Sequence, residues 1–352
     1  MILLNLQIVT SILVVSGYFF AVNEVIYKRF PSILTIFYVI FTIIIYIYFS
    51  LNGDLFLFYD RVIYQLRANQ ALPPSIDLNF LYTLIYQKFY NIDPFYGVVL
   101  FTAIPVVLKL RLIKQNTHYV GPIFVYVSLS FWYDDYQQLK FGFSSLFILY
   151  FLLRGRTHNI LIAIVFHAGS SVYLLISKFL AGKYTLLSIR FMPLLPLLLH
   201  ITLLQGPAFD IFWIIGGLIP GQSSYYGYYI DAMNGSASDF NLFRLTNILL
   251  ALAISFTILL PKTIRSHDNY KRIFYPLLCC ELFYQLFLFS PTVAGRFYHI
   301  LEVSLIPFSV HILRYKTSQI GHLNILLLII YSYCFAKYFS NVSNGYFGQV
   351  FD

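Results

Sequence analysis

The residues most able to do chemistry are acids and bases gathered in a few short stretches of an otherwise apolar chain. The first reads Asn52-Gly53-Asp54, then Tyr59-Asp60-Arg61, followed by Arg67, a Pro73-Pro74 turn and Asp77. A carboxylate near a dry surface has its proton affinity raised by desolvation, which suits a general base acting on a hydroxyl. The same residues also suit tight turns, and Asp77 suits an N-cap, so a structural role stays open for each. The second stretch, Trp132-Tyr133-Asp134-Asp135-Tyr136-Gln137-Gln138-Leu139-Lys140, sets rings beside carboxylates and amides. Rings cover the C–H face of a sugar while polar groups take its hydroxyls, and the same rings suit an aromatic belt at a membrane interface.

The third stretch, Phe166-His167-Ala168-Gly169-Ser170-Ser171, places an ionisable group within an apolar run. A group at membrane depth faces a bundle interior or a wet cavity, whereas its small neighbours equally favour close helix packing. The fourth is Arg296-Phe297-Tyr298-His299 with Glu302 one turn on and Glu281 in the preceding run. A guanidinium there suits phosphate oxygens, and Glu302 suits a buried pair with a cation. Lys140, Arg190, Arg244 and Arg296 all mark ends of apolar runs, where long side chains snorkel to headgroups or hold an anionic ligand. No Walker loop, HExxH, GxSxG or CxxC pair occurs, so nucleotide hydrolysis and zinc or serine hydrolase chemistry lack support, and no metal site is expected. Cys279, Cys280 and Cys334 lie in apolar runs and outline no disulfide framework.

The elements that position these groups follow from composition. With 59% hydrophobic and 11% charged residues, the chain departs far from ordinary soluble domains, in which about a quarter of residues are charged. The net charge of +9 is spread over short loops, which favours a topogenic role over nucleic-acid binding. Counting apolar runs against the roughly 20 residues that span a bilayer predicts an all-α polytopic transmembrane bundle of about 12 crossings. The runs are 2–20, 32–50, 95–110, 119–133, 141–153, 159–178, 185–205, 208–220, 241–260, 273–290, 297–313 and 321–339. Met1 to Phe20 lacks a basic n-region and a cleavage site and reads as a retained helix. Asp77 to Tyr90 is too short to span and is expected as a periplasmic interfacial or re-entrant helix. The basic loops around Lys28, Lys109, Arg154, Arg265 and Arg314 are expected on the cytoplasmic side. Residues 1–352 then form one integral membrane domain with periplasmic loops near 51–94 and 221–240, in a bacterial inner membrane.

In this order and spacing, Gly53-Asp54, Asp77, Leu139-Lys140, Phe166-His167 and Arg296-Phe297 resemble the EpsG-like and Wzy-type polysaccharide polymerases over roughly residues 50 to 310. Two features depart from that pattern: Lys140 stands where the family usually has Arg, and no Tyr follows Asp54. The resemblance implies a glycosyltransferase that polymerises undecaprenyl-pyrophosphate-linked repeat units at the periplasmic face. It implies lipid-linked donor and acceptor, membrane lipids, a chain-length regulator and a flippase as partners, with no cofactor. Within it, Asp60 or His167 would be the base, with Asp54 also catalytic. Arg61, Asp77, Asp135, Lys140, Arg190, Arg244, Arg296 and Tyr298 would bind substrate. The alternatives are a flippase or transporter of a lipid-linked oligosaccharide, and a glycan ligase or acyltransferase.

Overall fold

The computed structural model describes residues 2–27, 32–52, 88, 96–135, 139–166, 170, 173, 191–202, 245–286, 291–315 and 321–343, and within them the regular elements are all helices. The order is α1 (Ile2–Tyr27), α2 (Ser32–Asn52), α3 (Tyr96–Asn116), α4 (Gly121–Tyr126), α5 (Leu139–Arg154) and α6 (His158–Phe166). Then come α7 (Leu195–Thr202), α8 (Leu245–Phe256), α9 (Lys262–Arg265), α10 (Asp268–Leu286), α11 (Pro291–Arg314) and α12 (Gly321–Ser343). α4 widens into a π-helical stretch over Val127–Asp135, and short 3-10 turns precede α7 and follow α8.

α1 and α12, the first and last of these helices, pack on each other. Tyr18 lies 4.6 Å from the Phe335 ring and its hydroxyl meets Ser332, while Tyr338 bonds Thr10. Glu24 near the end of α1 is fully buried, and its two carboxylate oxygens accept the backbone N–H groups of Val120 and Gly121 at 2.5 and 2.9 Å. Those N–H groups open α4 and have no intrahelical acceptor, so the carboxylate satisfies them and sits at the positive end of the helix dipole. Gly121 is required here, because a Cβ would overlap the Tyr331 ring of α12.

α2 is built inside out. Thr35, Tyr38, Thr42 and Tyr46 are buried, with Thr42 bonding back to the Tyr38 carbonyl, while Ile33, Ile36, Phe37, Ile40, Phe41, Ile44 and Ile47 are exposed. This outward stripe repeats at three- and four-residue steps, the period of one helical face. A polar inner face with a broad apolar outer face fits apolar surroundings better than water.

The expected bundle of about 12 crossings is corrected by these elements. Among the described residues two helices are long and apolar enough to cross a membrane, Gln7–Tyr27 of α1 and Gly321–Val342 of α12. Ile33–Tyr48, Gly121–Phe131, Phe141–Arg154 and Leu245–Leu259 are apolar but shorter. Three further runs sit inside helices that carry charge, while 159–178, 185–205 and 208–220 lie partly or wholly outside the described residues. The run at 95–110 lies in α3 with Lys109, Arg111 and Lys114, and that at 273–290 follows Lys271 and Arg272 and contains Glu281. The run at 297–313 is bracketed by Arg296 and Arg314 and interrupted by Glu302. Run counting failed because an apolar stretch shorter than about 18 residues fits a buried core helix as well as a span. The alternation of inside and outside loops depended on that count, so the multi-pass inner-membrane placement with a periplasm-facing site is corrected with it. So is the repeat-unit polymerase reading, together with its lipid-linked carrier alternative, because both required that topology.

Lys109 is a second correction. The sequence places it in a cytoplasmic basic loop, whereas it is 2% exposed within α3, where it donates to Ser145 Oγ of α5 at 2.6 Å and lies 5.8 Å from the Tyr126 ring. The anticipated periplasmic loops near 51–94 and 221–240 and the interfacial helix lie almost wholly outside the described residues.

Candidate functional site

α11 gathers the polar groups of its first half with those of α8, α10 and α12. Tyr298, His299 and Glu302 occupy neighbouring positions on one helical turn, and Tyr298 and Glu302 are buried. The Tyr298 hydroxyl pairs with the Tyr333 hydroxyl of α12, and its ring lies 5.1 Å from that of Tyr284 of α10 at a tilt of 48°. Tyr284 in turn donates to Asn247 Oδ1 of α8 at 3.0 Å. Lys337, a single ammonium in the apolar stretch of α12, lies 4.4 Å over the Tyr298 ring, and its charge acts on Glu302. Each hydroxyl and amide finds a partner on a neighbouring helix, as buried polar groups require.

Within this cluster His299 and Glu302 form an acid–base pair. His299 Nδ1 stands 3.5 Å from Glu302 Oε2 across one helical turn, with the imidazole 15% exposed and the carboxylate 2%. Burial pushes the Glu302 carboxyl above the ordinary carboxylate range, while Lys337 and the Tyr298 hydroxyl draw it back. A buried acid behind an imidazole fixes the orientation of the ring. The outer edge of the pair is set by α5, where the Phe141 ring lies 5.8 Å from His299.

Phe141 follows Lys140, the second residue of α5, and Arg296 stands three residues before His299 on α11. The contact of Phe141 with His299 places the first turn of α5 beside α11, and Tyr298 lies inside the cluster. The stretch after His167 also reaches α11: Tyr173 donates to the Ile300 carbonyl at 2.6 Å and meets Ser304 Oγ, and Ser170 bonds Ser144 of α5. Asp135 ends the π-helical stretch before α5. Asp54, Asp60, Arg61, Asp77, His167, Arg190 and Arg244 lie outside the described residues.

Sequence reasoning passed over His299 and Lys337. His299 stood in the quoted motif, and its three-residue spacing from Glu302 is the signal that a helix places both on one face. Lys337 was legible as a lone charge in a long apolar helix, and the cation that faces Glu302 comes from there. Comparison with protein-family models, with characterised proteins and with solved structures finds no match to this chain.

Proposed function

We propose that this chain is a membrane-anchored enzyme in which His299, backed by Glu302, is the general base toward a hydroxyl-bearing substrate. The observation that carries this reading is the pairing of a partly exposed imidazole with a buried carboxylate at 3.5 Å, faced by a cation from a candidate membrane helix. An ionisable group in such a helix is costly unless it is paired and put to use. Anchoring rests on α1 and α12, and the outward Ile and Phe stripe of α2 supports it.

In the proposed step the substrate hydroxyl sits at the outer edge of His299, near the starts of α5 and α11. His299 takes its proton as the hydroxyl oxygen bonds the anomeric carbon of a glycoside donor; the donor's C1–O bond breaks, its leaving group departs with the electron pair, and Glu302 keeps the imidazole oriented. The resemblance in Phe166-His167 and Arg296-Phe297 supports a sugar hydroxyl as acceptor, which makes glycosyl transfer the proposed reaction class. The purified protein in neutral detergent is to be incubated with soluble and lipid-linked glycosides, and the products read by mass spectrometry. Wild type is expected to transfer a glycosyl group, and His299→Asn to do so at least about 100-fold more slowly at unchanged melting temperature. Equal rates in the variant, or no transfer from any glycoside, overturn the proposal.

A further inference from the structure

At the far end of α11 from His299, a recess opens between the end of α5, the first turns of α10 and the last turns of α11. It is small and partly open to solvent, and is lined by Leu152, Asn269, Arg272, Pro307, His311 and Arg314 among others. Three of these carry nitrogen donors of basic side chains, and a fourth carries an amide.

Each donor is held by its surroundings. Arg272 is half-buried and donates through Nε to the Leu152 carbonyl at 3.1 Å, which fixes the guanidinium plane. Gly155, at φ +76°, leaves it room, because a Cβ there would overlap Arg272 Nη1. Arg314 is anchored from the other side, donating through Nη2 to Asn116 Oδ1 at 2.9 Å and to the Asn116 carbonyl at 3.3 Å. His311 is 3% exposed, and its Nε2 has no hydrogen-bond partner among the described residues. A buried ring nitrogen left unmatched at the wall of a basic recess is an unusual expense in a folded protein and points to a ligand atom. Burial, then His267, Arg314 and Arg272, hold the His311 imidazole down to about 4, so it is neutral near pH 7 and has one N–H to give. The nearby carboxylate, Asp268, points to solvent with a side chain 97% exposed, 3.9 Å from Lys271.

We infer that this recess binds a phosphate group, with Arg272 and Arg314 taking its charge and His311 donating to one oxygen. Fixed guanidinium forks match tetrahedral oxyanions, and the recess offers them from two helices at once. A phospholipid headgroup and a free phosphate share this chemistry. The inference does not depend on the His299–Glu302 reading, since the two sites share no residue.

The test uses the full chain. Binding of inorganic phosphate in neutral detergent is measured by titration calorimetry. Retention of phosphatidic acid against phosphatidylcholine from mixed nanodiscs is measured by native mass spectrometry. Arg314→Gln and His311→Leu are expected to weaken binding about tenfold or more, the loss of one charge-assisted hydrogen bond. Lys271→Gln, an equal change of charge on α10 outside the recess, is expected to bind as wild type does. Phosphatidic acid retained without inorganic phosphate binding identifies a lipid headgroup, and binding of both identifies phosphate in general. The inference is overturned if neither binds, if phosphatidylcholine is retained as well as phosphatidic acid, or if Lys271→Gln loses as much as Arg314→Gln. His311→Leu is buried and sensitive to folding; Arg314→Gln, at an exposed position, keeps the test decisive.

Discussion

The two ends of α11 set ionisable groups to opposite uses. At its start Tyr298 and Glu302 are enclosed by partners from α10 and α12, and His299 reaches the edge. In its last turn His311 and Arg314 line an open recess where a buried nitrogen has no partner. The difference teaches how to separate polar groups that hold the fold from groups held ready for something else. Removing a member of the enclosed set leaves a buried polar group stranded, whereas removing the exposed Arg314 from the open set costs the fold little.

Four variants would break or sharpen that contrast. The largest effect is expected at Lys337→Met, which strips the cation facing Glu302. We expect a loss of about 3 kcal/mol or more in denaturant unfolding, largely restored when Glu302→Gln is added. Equal instability of the single and double variants would show that the two side chains are not coupled.

Next is the pH dependence carried by His311. Its imidazole is held near 4 in the fold against an ordinary value of 6.5, so the unfolded chain takes up the proton first as pH falls. Stability from this group is therefore full above 6.5 and declines down to about 4, by up to about 3 kcal/mol at roughly 1.4 kcal/mol per pH unit. Wild type compared with His311→Gln across that window isolates the contribution, and parallel curves would refute it.

Gly155→Ala comes third. The residue has a left-handed φ of +76°, and the new methyl would meet Arg272, so a loss of about 1 to 2 kcal/mol is expected. Phosphate binding should fall with it if the guanidinium is displaced. The smallest effect is expected at Arg314→Gln, within about 0.5 kcal/mol of wild type, since the side chain is exposed. A large loss there would make the recess structural and erase the contrast.

The sequence made part of this visible. Helical character was legible from the long apolar runs, and α1 and α12 match the first and last of them closely. The crossing count was not legible, because a run such as 273–290 reads the same whether lipid or other helices cover it; only the neighbours decide. Composition could not say that Lys109 turns inward to Ser145, or that Glu24 caps a helix almost a hundred residues later. Tyr298 is expected from the resemblance to bind substrate, and its place between Tyr333 and Lys337 depends on α12, which no local pattern connects to it. His299 and Glu302 were both in view, and their pairing needed only the helical step between them.

The packing of α1 on α12 also has a temporal side. Thr10 and Tyr338 are 328 residues apart in the chain. At the usual pace of synthesis, about 5 to 20 residues per second, the first helix is complete roughly 15 to 65 seconds before its partner exists. During that interval the hydroxyls of Thr10 and Tyr18 lack their partners on α12. A nascent chain of this protein therefore depends on something else to shelter its first helix, whether lipid, the insertion machinery or a chaperone, and a truncation that removes α12 should leave that dependence permanent.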